Sequence, residues 1–163
     1  MMGAGKTSVG QRLAGRRGWP FLDSDRQVEE MVGRSVAEIW ASDGEAGFRH
    51  LEARVLADAL ASTAPAVVAA AGGTVLDPVN RRLLSLHRPV VWLRAEVETL
   101  VRRLGAGEGR PLLAGDAAGA LARLDARRRP LYAEVTDLTV DVDALSAEAV
   151  VERIEAELAS LTA

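Results

Sequence analysis

Cysteine is absent from this 163-residue sequence, and histidine and the aromatics are scarce: two His, two Phe, three Trp and one Tyr. Without cysteine there is no disulfide framework and no thiolate metal site, and His50 and His87 are too few for a zinc centre. An excess of one charge sign is missing too. Twenty Lys and Arg stand against 23 Asp and Glu, a net charge of −3, which gives no general attraction for nucleic acid or an anionic membrane. Any anion site must therefore be built locally. No apolar run is long enough to span a bilayer, and Lys6 so close to the start is unlike a secretory signal. Internal repeats and low-complexity tails are also lacking. These absences leave one soluble, cytosolic domain over residues 1–163, long enough to bury a substantial core.

The chemistry begins at the first residues. Met1-Met2-Gly3-Ala4-Gly5-Lys6-Thr7 follows the phosphate-loop pattern Gly-x-x-x-x-Gly-Lys-Thr, with the first glycine falling one position before Met1. In that pattern Gly3 and Gly5 let backbone N–H groups turn inward, Lys6 reaches the terminal phosphates, and the Thr7 hydroxyl joins the Mg²⁺ shell. Thr7 to Ala14 reads as the helix whose N-terminus faces the polyphosphate, with Val9 and Leu13 on its buried face. A strand should feed such a loop and none stands before it. The expectation is that Met1 is an internal methionine, preceded by a short apolar strand ending in Gly.

Beyond the loop, apolar β-type runs alternate with helical patterns, the order of an α/β fold with a parallel sheet. Four strands are expected: Trp19–Asp23, Ala66–Ala70, Pro89–Leu93 and Leu138–Val142. The intervening helices are long enough for right-handed crossovers. Ser35 and Glu38 form a capping-box pattern before Ile39 and Trp40, and Phe48, Leu51, Val55 and Ala59 recur at helical intervals. Ser146 caps a last helix whose apolar face is Ala147, Val150, Val151, Ile154, Leu158 and Leu161. The three tryptophans lie on separate elements and read as core. Residues 105–116, with Gly105, Gly107, Gly109 and Gly115 around Arg110, suit neither helix nor strand and read as a plain connection or as a mobile lid.

Asp23-Ser24-Asp25 follows the first strand at its C-terminal end, where open α/β sheets bind ligands. Residues two apart on a strand point the same way, so both carboxylates face one crevice. Asp23 then supports the magnesium shell while Asp25 accepts a hydrogen bond from a substrate hydroxyl; alternatively Asp25 caps the helix Arg26–Met31. Arg49 lies about 100° around its helix from Phe48 and flanks a crevice. The run Arg127-Arg128-Arg129 is either a cluster favoured by a helix C-terminus or part of a site. An arginine fork holds a carboxylate through two parallel hydrogen bonds.

The order of these motifs resembles shikimate kinase, a family of small P-loop kinases, from Met1 to about Ile154. The matching pieces are Gly3-Ala4-Gly5-Lys6-Thr7, Asp23-Ser24-Asp25, Gly33 to Ile39, Asp43-Gly44-Glu45 with Phe48-Arg49, Gly72-Gly73, Arg110-Pro111-Leu112-Leu113, and Arg128 before Pro130-Leu131-Tyr132. The resemblance implies a three-layer P-loop kinase fold with strand order 2-3-1-4-5, strand 1 being the one missing here, a substrate-binding helical region at about 25–62 and a lid at about 105–116. It further implies ATP-dependent phosphorylation of the shikimate 3-hydroxyl, on the route to chorismate and the aromatic amino acids, by a cytoplasmic monomer. Gly3, Ala4, Gly5, Lys6, Thr7 and Ser8 would hold the nucleotide, with Arg103 near the adenine. Thr7 and Asp23 would hold Mg²⁺. Asp25, Arg49, Gly72, Gly73 and Arg128 would bind shikimate, and Lys6, Asp25 and the lid arginine Arg110 would act in catalysis.

One departure from the family's pattern is Ala71 where three glycines are usual, a mild change if that position has negative φ. The rival readings are another small-molecule P-loop kinase, of the gluconate kinase kind, and a non-catalytic nucleotide-binding paralogue.

Overall fold

The computed structural model describes residues 1–105 and 116–161. Arg110 and nearly all of the segment read as a lid lie outside them. The chain alternates helix and strand: α1 (Lys6–Arg17), β1 (Phe21–Asp23), α2 (Ser24–Val32), α3 (Val36–Ala61), β2 (Val67–Ala69), a 3₁₀ turn (Thr74–Leu76), α4 (Pro78–Leu86), β3 (Val91–Arg94), α5 (Val97–Leu104), α6 (Ala117–Val135), β4 (Leu138–Asp141) and α7 (Ala147–Leu161). All four strands are near their expected places, but they are shorter by one or two residues.

Local chemistry fixes the boundaries. Gly18 (φ 65°) ends α1, its N–H bonding the Ala14 carbonyl, and Gly33 (φ 68°) ends α2. A Cβ at these left-handed positions would be strained. The Ser35–Glu38 capping box forms in full at the start of α3: Glu38 N–H donates to Ser35 Oγ at 3.3 Å, and Ser35 N–H to Glu38 Oε2 at 2.7 Å. Gly44 (φ 70°, ψ −175°) then breaks α3 into two arms meeting at a kink. Asp77 caps α4 just before Pro78, and Asp116 caps α6.

The strands form two separate parallel pairs. β1 pairs with β2 in the register Phe21 to Val67 and Asp23 to Ala69, and β3 pairs with β4 from Val91 to Leu138 through Arg94 to Asp141. No described strand bridges β2 and β3. These are the pairs that flank the central place in the 2-3-1-4-5 order. Between them runs an apolar slot of about 440 Å³, walled by Val67, Val68, Val91, Leu93, Val9 and Ile154 among others.

The main core gathers Val9, Leu93, Leu100, Leu121, Val140 and the α7 face Val150, Val151 and Ile154, all buried. A smaller cluster of Val28, Ile39, Phe48 and Val55 welds α2 to both arms of α3. Two expectations fail in this frame. Trp19 is 40 % exposed rather than core, because it follows Gly18 in the turn ahead of β1; only Trp40 and Trp92 pack inside, against Phe48 and Tyr132. Arg127–Arg129 sits mid-way along α6 rather than at a helix C-terminus, because the helix continues through Pro130 to Val135. Among the described residues, no helix is long and apolar enough to cross a membrane.

Candidate active site

At the C-terminal ends of the strands a second cavity, about 460 Å³, is lined by charged groups instead. It assembles Lys6, Thr7, Asp23, Asp25, Arg49 and Arg128, together with Gly3, Gly5, Gly72, Gly73 and Arg103. Every site residue named from the sequence within the described part lines this crevice, except Ala4, which is buried behind the loop.

Its phosphate end is built from backbone. Gly3 (φ 79°) and Gly5 (φ 93°) are left-handed, and Gly5 sits at the N-terminus of α1, with no acidic residue in the helix's first turn. Unsatisfied N–H groups and the helix dipole there favour an anion. Lys6 Nζ donates to the Met1 carbonyl at 3.0 Å, which folds its side chain over the loop. Arg103 ties the loop to the sheet, donating to Gly3 O at 3.4 Å and Val142 O at 2.6 Å.

Asp23 answers the question left open over Asp25. It is Asp23, not Asp25, that caps α2: its Oδ1 accepts from Asp25 N–H at 3.2 Å, while its Oδ2 accepts from Thr7 Oγ1 at 2.8 Å. Asp25 is thereby left with its carboxylate open to the crevice. The protein walls around it raise its pKa, against which Lys6 acts most strongly; Asp23 adds to the rise and Arg49 opposes it.

The far end is cationic and crowded. Gly73 has an ordinary φ of −89°, so its lack of a side chain matters for space: a Cβ there would overlap the Arg49 guanidinium. At Gly72 a Cβ would stand 3.2 Å from Arg128 Nη1 and from the Tyr132 hydroxyl. Arg49 from α3 and Arg128 from α6 thus converge on one glycine turn. Arg128 is almost wholly buried, and its Nε has no hydrogen-bond partner. Burial, and Arg49 secondarily, lower its pKa while Tyr132 raises it. A buried, incompletely paired guanidinium facing a second one is a site prepared for an anion. Ala71 has no positive φ, since no non-glycine residue described does, and its N–H donates to Ser24 Oγ at 2.8 Å.

Three contributors were given no role by the motif reading. Glu52, 1 % exposed, takes both of its oxygens to Arg49 Nη1 at 2.9 and 3.0 Å. Burial raises its pKa and Arg49 pulls it back. Ser24 and Tyr132 each hold the 71–72 backbone. The signal for Glu52 was its i,i+3 spacing from Arg49 on a helix; for Tyr132, its i,i+4 spacing from Arg128; nothing in the sequence marked Ser24.

A phosphate loop at one end of a crevice, an acid pair in the middle and two converging arginines at the other define a P-loop kinase for a small anionic substrate. The sequence pattern of the shikimate kinase family matches residues 2–159. A shikimate kinase of Symbiobacterium thermophilum is 47 % identical, over 97 % of this chain and 92 % of its own, and one of Moorella thermoacetica is 44 % identical over 99 % and 94 %. The solved structure of the shikimate kinase of Acinetobacter baumannii, in complex with shikimate, superposes with a TM-score of 0.94 at 36 % identity, covering 98 % of this chain and 89 % of that one. The chain belongs to the shikimate kinase family.

Proposed function

We propose that this protein transfers the γ-phosphoryl group of ATP to the 3-hydroxyl of shikimate. The observation that supports this reading beyond family membership is the convergence of Arg49 and Arg128 on Gly72-Gly73, across the crevice from Lys6 and Asp25. The two guanidinium groups hold the carboxylate, the ring lies against the glycine turn, and a hydroxyl is directed to Asp25. Gly3 to Ser8 and Lys6 hold the polyphosphate, Arg103 flanks the nucleotide, and Arg110, assigned from the motif alone, neutralises the transferring group.

Phosphoryl transfer asks little covalent work of a protein; alignment and charge stabilisation dominate. Asp25 orients the attacking hydroxyl and takes its proton, a task for which a raised carboxylate pKa is suited. Hard oxygen donors at Thr7 and Asp23 suit Mg²⁺, which is usually held by one or two protein oxygens plus substrate phosphates. The ion would neutralise charge on the β- and γ-phosphates. Among the described residues there is no cluster of three or more His, Asp or Glu for an all-protein metal cage, so the ion would arrive with its nucleotide. The reading also assigns a cytoplasmic, monomeric enzyme.

Coupled ADP release tests it, measured with shikimate, with gluconate, and with neither. Release that depends on shikimate is expected. Release indifferent to shikimate, or its complete absence, rejects the reading.

A further inference from the structure

Tyr132 is the chain's single tyrosine, and it stands at a junction none of the roles above uses. It lies one helical turn after Arg128 on α6 and is buried. Its hydroxyl donates to the Gly72 carbonyl at 2.6 Å, which joins α6 to the glycine turn 60 residues earlier in sequence. The same hydroxyl stands beside the Arg128 guanidinium: a single Cβ placed on Gly72 would lie 3.2 Å from both the hydroxyl and Arg128 Nη1. Its ring packs on Trp92 of β3, centroids 5.5 Å apart, so the phenol is anchored to the sheet as well.

One oxygen therefore holds the glycine turn and borders the Arg128 guanidinium at once. Arg128 otherwise has little to hold it: its Nε is unpartnered, and the carboxylates facing the region act elsewhere, Glu52 on Arg49 and Asp125 on Arg129. A guanidinium left loose in a buried site would sample several poses, and its two parallel bonds to a carboxylate need one. We propose that Tyr132 is a positioning residue that locks Arg128 and the Gly72 carbonyl into one arrangement, setting the enzyme's grip on the carboxylate of its substrate. A Tyr132 pKa pushed up to about 12 by burial keeps the hydroxyl protonated, and so able to donate to Gly72 beside the Arg128 guanidinium, throughout the working pH range.

The inference rests on shikimate being the substrate, and the test separates the two. Tyr132→Phe keeps the ring on Trp92 and removes only the hydroxyl. Its KM for shikimate is expected to rise about tenfold, with kcat within about threefold and KM for ATP unchanged, because the loss falls on ground-state binding at one end of the crevice. In an Arg128→Ala background the same change should lower kcat/KM by no more than about twofold further, since the residue through which it acts is gone. Tyr132→Phe with unaltered KM for shikimate overturns the proposal, as do equal losses toward both substrates or a full repeat of the loss without Arg128. A wild-type protein that fails to respond to shikimate rejects the function instead.

Discussion

The two cavities are nearly the same size, about 440 and 460 Å³, and both border β2, yet they have opposite chemistry. The crevice is made by side chains converging from the loop before α1, from the β1–α2 junction, α3, the glycine turn and α6. The slot is made by backbone, the facing edges of β2 and β3, and by the apolar side chains around them. Val67 N–H reaches back to Pro20 O, so by alternation Val68 N–H points into the slot, and on the other side Val91 and Leu93 do the same. One cavity is a place where charges are assembled, the other a place where, among the described residues, the edges of β2 and β3 pair with no strand. Changes to the first should alter turnover and binding with little effect on stability, and changes to the second the reverse.

The largest separation is expected from Asp25→Asn. In the role proposed for Asp25, losing its carboxylate should lower kcat by about 10²-fold or more. Its stability should go the other way. A carboxyl whose folded-state pKa is raised contributes most to stability below its unfolded value and loses that contribution as pH rises through the folded one, so at pH 7 the charged form is a burden that Asn removes. Thermal unfolding at pH 7 should show a Tm at or above wild type; a clearly lower Tm would make Asp25 structural and blur the comparison.

Leu93→Ala is the counterpart on the slot side. Leu93 is 8 % exposed, and truncating it should cost about 2 kcal/mol, the low end for a buried leucine because the slot already borders it. Urea unfolding should show this loss with KM for shikimate within about twofold of wild type. A KM that moves with stability would mean that the slot and the crevice are not independent.

Gly73→Ala sharpens the contrast further by adding one methyl group. The methyl must displace the Arg49 guanidinium, so KM for shikimate should rise about tenfold with KM for ATP unchanged. Gly72→Ala, whose nearest contacts are looser, should do less. Should the two variants behave alike, the glycines would be serving the turn's conformation and not the approach of the arginines.

A smaller effect is the pH dependence. In the proposed role Asp25 must be ionised to accept a proton, and burial raises its pKa, so kcat/KM should fall as pH drops through a value above that of an ordinary aspartate. An acid limb at the usual aspartate value, or one that persists in Asp25→Asn, would remove that assignment. Smallest of all, amide exchange at Val68, Val91 and Leu93 should outpace that at Trp92 and Val140, whose N–H groups face a partner strand.

The crevice was far more legible in the sequence than the slot's surroundings. Gly3-Ala4-Gly5-Lys6-Thr7 and Asp23-Ser24-Asp25 announce themselves because backbone and carboxylate chemistry demand those residue types at fixed spacing, and Arg49, Gly72, Gly73 and Arg128 followed once the family resemblance tied them together. The division of labour within the acid pair did not. Either residue can cap a helix, and only the bond from Asp25 N–H to Asp23 Oδ1 shows that Asp23 does so. Glu52 and Tyr132 stayed hidden because each acts through a partner one helical turn away, a spacing that equally describes two unrelated residues on a helix. Spacing by itself did not separate Arg128 from Arg127 and Arg129; the resemblance did, and the burial of Arg128 on an α6 that runs on past Pro130 shows where it lies. The four strands were found, but their lengths were not, because apolar residues continue beyond the last paired amide.

Asp23 carries a consequence of its own. With one oxygen on the amide that starts α2 and the other on the hydroxyl that follows Lys6, it couples the folding of one helix to the entrance of another. In the proposed function, where Thr7 lies on the phosphoryl donor's side and Asp25 on the acceptor's, a change in the grip of that one carboxylate on either side would be felt as a change in reaction distance.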